Sequence, residues 1–123
     1  MVRVTLQRID DLIRIAYTKS GLHLARKAEL DGINCEVHIL EGNDHDIQKK
    51  DYVKRLGADK VITFGNGNND RKMLKVSKIG IAVCMKEGCA IDAITSADIL
   101  VTSAIDALDL LLHPKRCKAT LRF

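Results

Sequence analysis

A chain of 123 residues with a 46% hydrophobic share has room for one domain and a modest core, which excludes two independent domains. Aromatic residues make up only 3% and tryptophan is absent, so stacking platforms for single-stranded nucleic acid are excluded. The net charge of +4 is spread along the chain and lacks the clustered stripe of a nucleic-acid footprint, so no nucleic-acid partner is expected.

No apolar run is long enough to cross a bilayer, and Met1-Val2-Arg3-Val4 lacks the basic stretch and apolar core of a leader. A cytoplasmic chain with no membrane partner is therefore expected. Residues 1–11 read in two ways, because Val2, Val4 and Leu6 alternate as in a strand while Leu6, Ile9 and Ile13 share one helix face; the helix is favoured. Residues 13–17 read as a buried strand, and a helix over 22–30 follows, with Gly32 just past its end. Residues 37–40 form the next strand. The helix over 47–56 then buries Ile47, Tyr52, Val53 and Leu56, with Gly57 placed for a left-handed cap.

Residues 61–64, 79–83 and 99–101 read as further buried strands, and Pro114 is expected to end the last helix ahead of a basic tail. Strand and helix in alternation imply right-handed crossovers, hence an α/β fold with a mostly parallel sheet and helices on both faces. In such sheets function collects at the carboxyl ends of strands, here after Tyr17, Leu40 and Phe64. Four cysteines lack the paired spacing of a zinc site and are expected to be reduced thiols, with Cys89 and Cys117 the two candidates for reactivity. Asp44-His45-Asp46 reads as a solvated turn and helix cap rather than a metal site.

After Phe64 the chain runs Gly65-Asn66-Gly67-Asn68-Asn69-Asp70, then Arg71-Lys72-Met73-Leu74 as a helix start, with Asn69 or Asp70 as the cap. A dinucleotide fingerprint would need Gly where Asp70 stands, a P-loop would need a G-K-[ST] ending, and a calcium loop would need Gly and Glu where Arg71 and Ser77 stand. What remains is one carboxylate and three carboxamides beside a helix start. Such oxygens suit Mg2+, and the backbone N–H groups suit phosphate.

These residues resemble the fourth motif of the haloacid dehalogenase superfamily, in the G-D-G-x-N-D form of P-type ATPases and of a small group of soluble P-type-ATPase-like proteins. Downstream, Ile79-Gly80-Ile81-Ala82-Val83, Glu87-Gly88, Ala97-Asp98-Ile99-Leu100-Val101 and Ile105 to Arg116 look like the closing strands and helix of the soluble group. The resemblance implies a three-layer Rossmann-like domain over residues 1–123, without a cap domain, whose relatives are Mg2+-dependent phosphoryl hydrolases. It also implies the site. Thr18 is similar to the second-motif hydroxyl that binds phosphoryl oxygens, and Lys49 to the third-motif lysine, with Lys50 its neighbouring competitor. Asp70 and Asn69 match the end of the fourth motif, Gly65 and Gly67 its backbone cradle, and Asn66 and Asp70 its Mg2+ ligands, with Asn66 the weaker for being neutral.

The nucleophile signature D-x-[D/N]-G-T, carried in the superfamily by the central first strand, has no counterpart, and Asp10-Asp11 is a poor substitute. Four outcomes follow for the gap: residues 2–6 fill it, the other strands close up, a second copy covers the edge as a homodimer, or Met1 is an internal start. The expected function is a phosphatase-like fold, acting on a phosphorylated small molecule but catalytically impaired. The rival is a noncatalytic module that binds phosphate and Mg2+ or assembles a complex.

Overall fold

The computed structural model describes residues 3–6, 13–18 and 35–122. Six strands are present among them: β1 (Arg3–Leu6), β2 (Ile13–Thr18), β3 (Cys35–Leu40), β4 (Ile62–Gly65), β5 (Ile79–Val83) and β6 (Ile99–Val101). They form one sheet in the order β3-β2-β1-β4-β5-β6. β2 pairs parallel with β3, and β4, β5 and β6 pair parallel in turn, whereas β1 is antiparallel to both of its neighbours. Five strands therefore point one way, which is the mostly parallel sheet expected.

The helix favoured for residues 1–11 is overturned by β1. Arg3 pairs with Ala16 and Leu6 with Ile13 on one side, while Thr5 pairs with Thr63 and Leu6 with Ile62 on the other. The physical reason is the seat between β2 and β4. Left open, it would strand two rows of backbone donors and acceptors in the middle of the sheet, and a segment with period-two patterning can satisfy both rows. The gap is thus filled from within the chain, and by a strand of reversed direction.

Five helices are described: α1 (His45–Leu56), α2 (Arg71–Val76), α3 (Ile91–Ser96), α4 (Ala104–Leu112) and α5 (Pro114–Leu121). The helix expected over 22–30, with Gly32, lies outside the described residues. Among these elements no helix is long and apolar enough to cross a membrane. Side chains alternate across β4: Val61, just before the strand, packs with Val53 and Met73 under α1 and α2, while Ile62 and Phe64 face the opposite layer. That second layer joins Phe64, Ile81, Val83 and Ile99 to Ala107, Leu111 and Cys117 of α4 and α5. Helices thus cover both faces, and each fully buried Val, Leu or Ile contributes about 1.5–3 kcal/mol.

Three details differ from the sequence reading. Ile47 is 39% exposed, and the inward face of α1 is made instead by Lys49, Tyr52 and Val53. Pro114 does not end the chain's helical structure but opens α5 at its first turn, where a missing N–H leaves no bond unmade. Consequently Cys117, expected as a reactive candidate, is buried in the core, and burial pushes its thiol pKa up. Burial, helped by the neighbouring Cys84, also raises the Cys89 thiol. Cys84, Cys89 and Cys117 are free thiols.

Candidate functional site

β4 ends at Gly65, and the chain turns through Asn66 and Gly67 into a short 3-10 turn, Asn68–Asp70, that leads directly into α2. Asp70 stands at the N-cap of α2, yet its side chain makes no capping bond to that helix. The carboxylate reaches back instead. Its Oδ2 accepts from the backbone N–H of Asn66 at 3.1 Å and of Gly67 at 2.9 Å. The expected side-chain cap is therefore replaced by a brace across the loop. Gly65 makes room for it, since a Cβ there would lie 2.6 Å from both Cγ and Oδ2 of Asp70.

Lys49 arrives from α1. Tyr52 of the same helix stacks on His38 of β3 with ring centroids 4.8 Å apart, and Val53 is fully buried, so α1 is fixed in rotation and Lys49 faces inward. Its Nζ lies 3.3 Å from Asp70 Oδ1, with the two side chains 1% and 0% exposed. Removing two charges from water costs several kcal/mol each, and a pair survives in such a place only when further hydrogen bonds complete it. The two loop amides on Oδ2 supply that completion. Of the competing lysines, the structure brings Lys49 to Asp70 and lets Lys50 line a hollow on the outer side of the helices.

Asn66 is 5% exposed, and its Oδ1 is buried without a hydrogen-bond partner among the described residues. The Nδ2 of the same amide donates to Glu87 Oε1 at 3.3 Å, and the backbone carbonyl of Asn66 accepts from Ala90 N at 2.7 Å. The turn after β5 is thereby fastened to the loop after β4. In the sequence Glu87 stands out only through the Glu87-Gly88 pattern, which assigns it no place at the site. The signal was the parallel pairing of β4 with β5, which sets Gly65 beside Ala82 and brings both strand ends to one edge.

Thr18 is the last residue of β2, paired with Leu40, and β2 and β4 run in the same direction, so its backbone stands at the sheet edge where Gly65 ends. Its side chain lies outside the described residues, as do Asp10 and Asp11. The strand ends that flank those two carboxylates, Leu6 and Ile13, pair with each other at the opposite edge of the sheet. Asn69 sits within the 3-10 turn and has partners of its own.

Asp44-His45-Asp46, expected as a solvated turn and helix cap, is corrected in part: Asp44 stands at the N-cap of α1 without a side-chain capping bond, and Asp46, in the first turn, is ion-paired instead of solvated. Its Oδ2 meets Lys72 at 2.8 Å and Arg71 at 3.0 Å, tying α1 to the start of α2 beside the loop. The Lys72 hydrogen bond holds the Asp46 carboxyl below its usual range.

The donor set can be compared with the needs of Mg2+. Asp70 already takes at least three donors, one of them the Lys49 ammonium, and Asn66 offers a single neutral oxygen. No group of three His, Cys, Asp or Glu able to hold a metal occurs among the described residues. Mg2+ is ordinarily held by one or two carboxylates together with waters and substrate phosphates; here it would share Asp70 with those donors and take Asn66 Oδ1 as a weaker, neutral ligand. The amides of Asn66 and Gly67, expected to face phosphate, serve Asp70 instead.

A family model described as haloacid dehalogenase-like hydrolase matches residues 23–104, two thirds of the chain. An uncharacterized protein of Methanocaldococcus jannaschii is 51% identical over 63 residues, which cover 51% of this chain and 68% of that protein. No solved structure matches significantly.

Proposed function

The chain belongs to the haloacid dehalogenase-like hydrolase family, and from that premise we propose that it recognises a phosphorylated small molecule without hydrolysing it. The observation that carries this reading is the direction of β1. In the superfamily the central strand runs with its neighbours and ends in the aspartate that attacks phosphorus; here the central seat holds residues 3–6 running the other way. A strand so directed delivers its last residue, Leu6, to the edge away from Asp70, so no carboxylate at its tip can approach a phosphoryl group in line.

What the loop keeps is the charge that receives a phosphoryl group. Lys49 holds its ammonium at the base of the site and uses one of three N–H groups on Asp70. The other two are suited to anionic oxygens, and the Thr18 hydroxyl is proposed as a further donor. Asp70 acts as the positioning residue: it fixes the ammonium and the loop amides together. Asn66 Oδ1 is an acceptor and suits a hydroxyl or N–H of the ligand rather than a phosphate oxygen. The family generally uses Mg2+, but the proposed recognition needs none. The asparagine-rich loop and the downstream Glu87-Gly88 pattern support kinship with the phosphorylation domain of P-type ATPases and with soluble phosphatases, as a single domain.

A phosphate monoester such as p-nitrophenyl phosphate with Mg2+ checks the reading. The expected rate equals that of an Asp70→Asn variant, while inorganic phosphate shifts the amide signals of Lys49 and of residues 65–70. Turnover abolished by Asp70→Ala would establish an active hydrolase instead.

A further inference from the structure

We propose a second anion site, on the outer side of the helical layer, that takes a small ligand with a diphosphate group. Lys50 of α1, Arg71, Lys72, Lys75 and Val76 of α2, and Ser96 at the end of α3 line a hollow of about 370 Å3. The volume lies in the range of small-ligand pockets. Four cations meet there. Among the described residues Asp46 is the only carboxylate ion-paired with any of them, and it serves Arg71 and Lys72 at once. Lys50 and Lys75 have no ionic partner among the described residues. Three positive charges are therefore left uncompensated around one concavity, and they repel one another until an anion enters.

The sequence hid this concentration. Arg71 and Lys72 share the first turn of α2 and Lys75 falls in the next, but Lys50 lies on another helix and joins them only because α1 packs on α2. Asp46 prepares the hollow by holding two of the long side chains in place, so less rotamer freedom is lost when an anion binds. Arg71 also donates through Nη1 to the Asn68 carbonyl at 2.8 Å, which fixes its guanidinium further. Ser96 adds a residue with a neutral hydroxyl to the lining. A diphosphate, with about three charges near neutral pH and oxygens on two phosphorus centres, matches this set better than a lone phosphate. The site is independent of the Lys49–Asp70 reading, because it uses none of those side chains.

The test is calorimetric titration of the full chain with inorganic pyrophosphate in metal-free buffer, alongside a Lys50→Ala/Lys75→Ala variant. Since neither lysine has an ionic partner among the described residues, the variant should melt as the parent does. Each lysine removed is expected to weaken pyrophosphate binding about tenfold, and the amide signals of Lys50, Arg71, Lys72 and Lys75 should move on titration. Unchanged affinity in the variant, absence of binding, or shifts confined to residues 65–70 would overturn the proposal. A single-stranded oligonucleotide that binds more tightly than pyrophosphate and loses affinity in the same variant would replace the small ligand with a nucleic acid.

Discussion

Lys49→Met is expected to destabilise the protein by about 3–5 kcal/mol, because it removes the ammonium paired with the buried Asp70 carboxylate. The loss is a large fraction of the roughly 5–15 kcal/mol that holds a typical domain together. Asp70 is fully buried and Lys49 nearly so, so water cannot take over the vacated position without opening the loop. The double variant Lys49→Met/Asp70→Asn should recover most of the loss, since the carboxamide oxygen can still accept from Asn66 and Gly67 and both charges of the pair are gone. Urea unfolding of the four proteins forms a double-mutant cycle. A single-variant loss under about 1 kcal/mol would mean a solvated carboxylate, as is typical of exposed pairs.

Gly65→Ala is the second large effect. The added methyl carbon would stand 2.6–2.7 Å from three atoms of Asp70, a carboxylate held from both ends by Lys49 and the loop amides. It has nowhere to retreat, so a cost of about 1–3 kcal/mol is expected, at the upper end for so rigid a neighbour. Steric contact is the cause, because Gly65 is not among the glycines of positive φ. The contact makes a second prediction: in an Asp70→Ala background, Gly65→Ala should add little further loss. Thermal melts of the single and double variants measure this, and equal losses in both backgrounds would contradict the assigned contact.

Much of this arrangement was legible in the residues. Helical spacing put Tyr52 and Val53, three and four residues after Lys49, on the inward face of α1, and the run from Gly65 to Asp70 marked a loop at a strand's carboxyl end. Neither required knowledge of long-range contacts. The direction of β1 was hidden because period-two and helical patterns overlap at Leu6, and pairing with both β2 and β4 decided between them. Pro114 was misjudged for a local reason: proline stops one helix and starts another with equal ease, and only the apolar side of α5, with Cys117 turned to the core, tells the cases apart. The roles of Glu87 and Asp46 were hidden because their partners are 21 and 25 residues away in sequence and meet them only through strand pairing and helix packing.

Acid-quenched intact-mass measurement after incubation with acetyl phosphate and Mg2+ addresses most directly whether the reversed central strand deprives this family member of a phosphoryl acceptor. The chain should keep its mass, both as found and with Asp70 replaced by Asn. A stoichiometric phosphoryl adduct on an aspartate, removed by hydroxylamine, would show that a nucleophile reaches the site after all and that the chain turns phosphate over.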